Sequence, residues 1–406
     1  MMSAKAVLEK IKEEIRPDAQ QMKEVEDLIK KIALLLKKQK LKAKIQAGGS
    51  YAKGTFLKNI HDIDLFVAFD LLYKGKDIST LLEKVLKPLK AIRLHGSRDY
   101  FQIKKGYSVE IIPVLDIKKA TDAENVTDFS LRHVTWMKKE GKGQEDDIRL
   151  AKQFCKAAKI YGAESYLSGF SGHVLDILII YYKGFLNLLK KSRTWKTQQV
   201  IDYYQVHKGK AKLNMNTSKL HSGLIVVDPV QPGRNAAAAL SEENMKKFQE
   251  RAATFLKRPS PDFFIEKKID QEALKKKKAL MINAKTEEGK KDVIGAKAVK
   301  VFQYLKNKIA ESFGIQESGW EWNDHFLMWF IPEQQKLSSI QEHEGPPLDK
   351  KDHALIFKKK YKKTKIKNGR IIAYVKRTPL TLEEYVTPLL KQPYVKERVA
   401  TIKIIR

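Results

Sequence analysis

The stretch HDIDLFVAF, residues 61 to 69, constrains this chain most. It is strongly strand-like, and side chains two apart on a strand share one face. Asp62 and Asp64 therefore project together, about 6–7 Å apart, while Ile63 and Leu65 enter the opposite layer. The run LFVAF leads straight on into a buried strand, which argues against a solvated edge of alternating charge. Two carboxylates held this way suit a divalent cation or a pair of them.

Just upstream lies a small-residue turn, GGSYAKGTF. It is not a P-loop: Gly49 and Gly54 have the right separation, but Thr55 stands where the lysine is required. Nor is it a dinucleotide fingerprint, because no helical pattern with an acidic residue some 20 positions on follows it. A third carboxylate, Glu110 in SVEIIPV, lies on another apolar strand with Val109 and Ile111 facing the other way. Together these features fit one logic. Backbone N–H groups of the turn and Ser50 hold a triphosphate, and metal ions on the three carboxylates bridge it to an attacking hydroxyl. Acid beside phosphate is productive only with a divalent cation between them.

At 406 residues the chain is long enough for two or three domains, and 43% hydrophobic residues suit a globular protein. Lys and Arg number 79 against 48 Asp and Glu, a net charge of +31. Such an imbalance opposes compactness and points to a polyanionic partner, nucleic acid or an anionic membrane surface. A lysine-rich habitat signature is the alternative, since lysine far outnumbers arginine. Cys155, the single cysteine, excludes an intramolecular disulfide and reads as a buried thiol on a helix. The charged, amphipathic N-terminus lacks a signal-peptide core, and VLDILIIYY, with Asp176 inside it, is too short to span a bilayer. A soluble cytoplasmic protein is expected.

Along the chain, residues 5 to 40 predict basic-faced helices, and 43 to 69 a strand, the turn and a second strand. DISTLLEKVLKPLKAI predicts a helix with an Asp or Ser cap, and DYFQIKKGYSVEIIPVLDI a hairpin. From about 144 to 256 the pattern turns helical, including SEENMKKFQERAATFL with Ser241 at its start. After KRPSPDFF come a helix, a tryptophan-rich strand (WEWNDHFLMWFIP), a basic hairpin (HALIFKKKYKKTKIKNGRIIAYVKR) and a last helix near TLEEYV. The tryptophans, Trp320, Trp322 and Trp329, are expected in a core. These shifts predict three domains: 1–143, a catalytic unit mixing strands and helices with N-terminal helices; 144–257, helical; and 258–406, an α/β tail.

GGSYAKGTFL…DIDLF resembles the Gly-Ser…Asp-x-Asp signature of the nucleotidyltransferase superfamily, which includes polymerase beta and poly(A) polymerases. DFSLRHVTWM, the IYGAE…GFSG block and VVDPVQPGRNAAAALS resemble more narrowly the archaeal, class I CCA-adding enzymes, the tRNA nucleotidyltransferases. GPPLDKKDHALIFKKKYKK…GRIIAYVKR is similar to that family's tail. The resemblance implies an α+β fold: a mixed-sheet, polymerase-beta-like catalytic domain, a helical central domain completing the nucleotide pocket, and an α/β RNA-binding tail. It implies addition of CTP and ATP to the tRNA 3′ end at one site, without a template, through a two-metal Mg2+ centre.

By the same resemblance Asp62, Asp64 and Glu110 match the metal-binding carboxylates, and Gly49, Ser50 and Lys53 the loop that meets the triphosphate and primer end. Ser130 and His133 match an element near the nucleotide, Lys152 and Tyr161 phosphate contacts, and Arg234 the arginine that reads the incoming base and supports the primer. Glu110 stands where the family usually has Asp, and Lys53 where it usually has Arg, which keeps the charge but not bidentate geometry. Asp64 or Glu110 accepts the proton of the attacking hydroxyl. The acceptor stem and T arm of tRNA would bind along the basic helical region and the tail, where Lys358, Lys359, Lys360, Lys362 and Lys363 follow backbone phosphates from a hairpin; a solvated lysine face is the alternative. A homodimer is compatible with the resemblance. Three other functions compete: another template-independent polymerase such as a poly(A) polymerase, a small-molecule nucleotidyltransferase, and a noncatalytic RNA-binding protein. Length and charge argue against the second, and the intact Asp62 and Asp64 against the third.

Overall fold

The computed structural model describes residues 3–17, 19–58, 62–105, 107–377 and 381–405, and only the backbone of residues 19–21, 62, 105 and 107. The chain forms two compact units, Met1–Lys267 and Lys268–Arg406.

The first unit opens with helices α1 (Ala4–Ile15) and α2 (Ala19–Lys38). A five-stranded sheet follows: β1 (Ala43–Ala47), β2 (Asp62–Phe69), β3 (Ile92–Leu94), β4 (Tyr100–Lys105) and β5 (Tyr107–Leu115), in the order β1-β2-β5-β4-β3. Only β2 and β5 run parallel, so the sheet is mixed. The one-turn helix α3 (Gly49–Ala52) joins β1 to the segment before β2, and α4 (Ile78–Leu86) is capped by the Asp77 carboxylate, which accepts from Thr80 N–H. Strand alternation divides the side chains between two layers. Ile63, Leu65, Val67, Val109 and Ile111 join α2 and α4 in one core, and Phe66, Ala68, Ile112 and Val114 form a smaller cluster on the other face.

Helices α5 (Ser130–Glu140), α6 (Glu145–Ala157), α7 (Gly172–Tyr182) and α8 (Phe185–Ser192) follow. The acidic start of α6, Glu145-Asp146-Asp147, complements its dipole, and Ser171 caps α7. This region is less purely helical than the periodicity predicts. Short strands β6 (Gln199–Ile201) and β7 (Leu224–Val226) pair in parallel, with one-turn α9 (Ala211–Asn214) between them. Runs of three residues are too short to show a period, and Leu224, Ile225 and Val226 are wholly buried. Helix α10 (Glu242–Lys257) starts at Ser241 as the sequence indicates, its hydroxyl accepting from Asn244 N–H. Phe154, Phe170, Phe185, Phe248 and Phe255 are fully buried in the core of this body, which also takes Val7, Leu8 and Ile11 from α1. Burial of each such side chain contributes about 1.5–3 kcal/mol. Cys155 sits in the same core, and burial pushes its thiol pKa up, consistent with an inert structural role.

The second unit contains α11 (Gln271–Lys276), β8 (Leu280–Lys285), the long helix α12 (Lys291–Phe313), β9 (Glu317–Trp322), β10 (Phe326–Ile331), β11 (Ile340–Pro347), α13 (Lys351–Lys360), β12 (Thr364–Lys367), β13 (Arg370–Lys376), α14 (Leu382–Leu390), α15 (Pro393–Lys396) and β14 (Thr401–Ile405). Its sheets run β14-β8-β10-β9 and β11-β13-β12. Two expectations change here. The tryptophan segment is two antiparallel strands, because Asn323-Asp324 breaks it into a turn. The lysine run is not in a hairpin: Lys358, Lys359 and Lys360 end helix α13, where cations suit the C-terminal dipole, and Lys362 and Lys363 lie in the connection to β12. The hairpin is β12–β13, turned at Asn368 (φ +51°) and Gly369 (φ +74°), both in the left-handed region such tight turns need. Trp320 and Trp322, partly buried, pack on the second unit's main core, and Trp329, also partly buried, packs on the smaller cluster of Leu274, Met281 and Ile331. Among the described residues no single helix is long and apolar enough to cross a bilayer.

Candidate active site

The parallel pairing of β2 with β5 sets Asp64 directly opposite Glu110 and Asp62 opposite Ser108. Paired residues of neighbouring strands point the same way, about 5 Å apart. Ile63, Leu65, Val109 and Ile111 fill the core behind them, so Asp64 and Glu110 lie together on the other face. The Asp62 side chain lies outside the described residues, and Asp62 enters through its backbone in β2 alone.

The small-residue turn is folded onto this pair. Gly48 N–H donates to the Asp64 carbonyl at 2.8 Å. A Cβ on Gly49, whose φ is +48°, would fall 1.7 Å from Asp64 Oδ2, and one on Gly48 would fall 2.0 Å from the Phe66 ring. Both glycines are therefore required by close approach, and Gly49 by conformation as well. Ser50 lies on α3, and its carbonyl accepts from Thr55 N–H at 2.9 Å, closing the loop. Hard oxygen donors side by side, under a turn pressed against one of them, fit an oxygen-seeking divalent cation such as Mg2+.

Cations from the helical body stand behind the loop. Lys53 Nζ is 2.7 Å from Asp176 Oδ2 on α7, with both side chains almost wholly buried. Lys152 Nζ on α6 donates to Thr55 Oγ1 at 2.8 Å and to its carbonyl at 3.1 Å, and lies 4.0 Å from Asp176 Oδ1. Burial pushes the Lys152 ammonium down to about 8, although Asp176 opposes this, so it is still charged at neutral pH. Burial would raise the Asp176 carboxyl, yet Lys53 and Lys152 hold it below the usual range. Two ammoniums share one carboxylate, which leaves the cluster of these three side chains net positive. A Cβ on Gly172 would meet the Tyr161 hydroxyl at 3.1 Å and Lys152 Nζ at 3.8 Å, so Tyr161 and Lys152 converge over the start of α7. Burial raises the Tyr161 pKa, which keeps its phenol a neutral donor.

Ser130 opens α5, and His133, one turn on, points its Nε2 at Asp228, 3.1 and 3.0 Å from Oδ1 and Oδ2. Arg234 Nη1 donates to Asp228 Oδ2 at 2.8 Å, and His173 Nε2 lies 3.6 Å from the same oxygen. Burial would raise the Asp228 carboxyl, but the His133 hydrogen bond and the adjacent His173 imidazole hold it far below its ordinary value. Burial pushes His173 down to about 4, so this imidazole is neutral at pH 7.

The first unit thus brings Gly49, Ser50, Lys53, Asp64, Glu110, Lys152 and Tyr161 around one sheet end and its helical backing, and gathers His133 and Arg234 on Asp228. Lys358, Lys360 and Lys362 belong to the second unit. Sequence reasoning missed Thr55, His173, Asp176 and Asp228 as parts of the site. Asp176 had a readable signal, since a carboxylate inside the apolar run VLDILIIYY must find a cation. Asp228 before Pro229 passes for an ordinary turn residue, and nothing in the sequence marks Thr55 or His173.

Family models match three successive regions: "Nucleotidyltransferase domain" at residues 29–128, "tRNA nucleotidyltransferase, second domain" at 146–265 and "CCA-adding enzyme, C-terminal domain" at 297–397. Among solved structures, a cytoplasmic RNA terminal U-transferase superposes with a TM-score of 0.51 at 14% identity, covering 64% of this chain and 98% of that one. Cid1, described by its RNA terminal uridylyl transferase activity, gives 0.51 at 15% identity over 64% and 98%. At such identities the likeness concerns fold alone, and it is the family models that define the class as the nucleotidyltransferases. The curated CCA-adding enzyme of Nanoarchaeum equitans is 38% identical over 345 residues, 82% of this chain and 83% of that protein. That of Methanosarcina barkeri is 30% identical over 81% and 76%, and that of Methanocaldococcus jannaschii 28% identical over 93% and 88%. The chain belongs to the CCA-adding enzyme family, the tRNA nucleotidyltransferases.

Proposed function

We propose that this enzyme adds C, C and A to the 3′ end of tRNA from CTP and ATP, without a template and with release of pyrophosphate. The observation that carries the reading is the Asp64–Glu110 register pair beneath the Gly48-Gly49-Ser50 turn. Asp62, Asp64 and Glu110 would hold Mg2+, which lowers the pKa of the tRNA 3′-hydroxyl and steadies the leaving oxygens. The turn's N–H groups and Ser50 orient the triphosphate, while Lys53, Lys152 and Tyr161 contact its phosphates. Asp64 or Glu110 takes the proton of the attacking hydroxyl, whose oxygen bonds to the α-phosphorus as the bond to pyrophosphate breaks. Ser130 and His133 lie at the nucleotide, and Arg234 reads the base edge and supports the primer, since no template strand does so.

The sheet unit (1–143) supplies the carboxylates and turn, the helical part (144–257) the cations and the base end, and the tail (258–406) contacts with the acceptor stem and T arm. Lys358, Lys360 and Lys362 meet backbone phosphates from the end of α13 and the loop beyond it. The cytoplasm, where tRNA is processed, is the proposed location. Pyrophosphate stoichiometry tests the reading. With a tRNA transcript ending before CCA, CTP alone should release two equivalents and CTP with ATP three; unlimited release with either nucleotide would instead indicate a homopolymer-forming enzyme.

A further inference from the structure

Asp228 is fully buried, yet groups from three elements converge on it. Helix α5 brings His133, with Nε2 3.0 Å from Oδ2, and α7 brings His173, with Nε2 at 3.6 Å. The carboxylate's own loop supplies Val230 and Gln231 N–H groups, 2.9 and 3.2 Å from Oδ1, and Arg234 Nη1, 2.8 Å from Oδ2. The loop is also closed through its backbone: Asp228 N–H donates to the Arg234 carbonyl at 3.0 Å, and Arg234 N–H to the Gln231 carbonyl at 2.8 Å. Ligand atoms of His133, His173 and Asp228 lie within 4.8 Å of one another, a spacing compatible with a metal ion. Arg234 already brings a cation to this carboxylate, so the guanidinium is its counter-charge.

The Arg234 side chain is nevertheless 45% exposed, against none for Asp228. A guanidinium is a rigid planar fork with five donors, so fixing one edge fixes the direction of the others. Building on the base-reading role given to Arg234 above, we propose that Asp228 is a positioning residue for base discrimination. It holds the guanidinium through Nη1, so that the remaining donors of the planar group are directed at the edge of the incoming base. Without that grip the positive charge stays but its direction is lost, so nucleotides still bind while right and wrong bases become harder to tell apart.

The test uses the full chain and a tRNA transcript ending in CC, and measures kcat/KM for ATP against UTP and GTP. Asp228→Asn should lower the ratio of correct to incorrect addition by about tenfold or more. The same substitution in an Arg234→Ala background should lower it no further, because the two residues act as one device. If Arg234→Ala keeps wild-type discrimination, the base-reading role fails and this proposal falls with it. If Arg234→Ala loses discrimination but Asp228→Asn keeps it, or if the two losses multiply in the double variant, only the positioning role is overturned. Should Asp228→Asn not fold, as judged by its circular dichroism melt, Arg234→Lys carries the test. An ammonium has three donors but no planar fork, so holding Asp228 does not set the direction of the others, and discrimination should fall as in Arg234→Ala. Wild-type discrimination in Arg234→Lys overturns the proposal.

Discussion

Gly49 has two reasons to be glycine, a φ of +48° and Asp64 Oδ2 lying 1.7 Å from where a Cβ would stand. Gly49→Ala should push the turn off the carboxylate and cut nucleotide addition by about a hundredfold, since an ångström of misplacement costs that much; steady-state assays beside a thermal melt separate this from unfolding. Asp64→Asn should lower addition by about a thousandfold or more while leaving tRNA affinity within about twofold, measured by filter binding, if Asp64 holds the metal as proposed and touches no RNA. Lys152 gives a pH signature. With its pKa lowered to about 8, the charge of this ammonium is complete well below that pH and is lost as pH rises through it. The protonated fraction falls about fivefold between pH 8 and 9, so kcat/KM for CTP should show a descending limb there, absent in Lys152→Met. The face that Asp64 takes beside the turn was legible from sequence because strand alternation and a neighbouring turn are local, whereas its pairing with Glu110 joins two separate strands. Asp228 was not legible, because His133 lies 95 residues away, and for Asp176 the need of a cation could be read but not its partner Lys53, 123 residues away.

Helix α7 looks in sequence like plain core, and most of it is, but its Asp176 anchors two lysines from different parts of the chain. Removing one partner of a buried ionic cluster leaves uncompensated charge. Asp176→Asn should therefore destabilise the protein by about 3–5 kcal/mol, seen as a lower urea midpoint with an unchanged slope. A change below about 1 kcal/mol would place the lysines in solvent instead. The tail shows the limits of local reading. An unbroken basic-apolar run, HALIFKKKYKKTKIKNGRIIAYVKR, gave no boundary between helix α13 and hairpin β12–β13. The boundary is set by where the helix dipole accepts cations and where Asn368-Gly369 permits a tight turn. Likewise β6 and β7 owe their pairing to burial, which three-residue runs do not announce.

For the whole molecule, a net charge of +31 requires that affinity for tRNA depend on salt. Each phosphate neutralised contributes about −0.7 to −0.9 to the slope of log K against log salt. Replacing Lys358, Lys360 and Lys362 one at a time by Ala should reduce that slope by about one each, and a flat dependence in the wild type would remove the phosphate-contact role. One site, built on the Asp64–Glu110 pair, is expected to add three nucleotides in order and then stop. The most direct test of this is a sequencing gel of tRNA transcripts ending before CCA, after C and after CC, each extended with Mg2+ and with CTP, ATP or both. Two additions from CTP, one from ATP only after CC, and arrest at CCA are the predicted ladder. Continued growth with a single nucleotide, or no extension of any transcript despite tRNA binding, would contradict it.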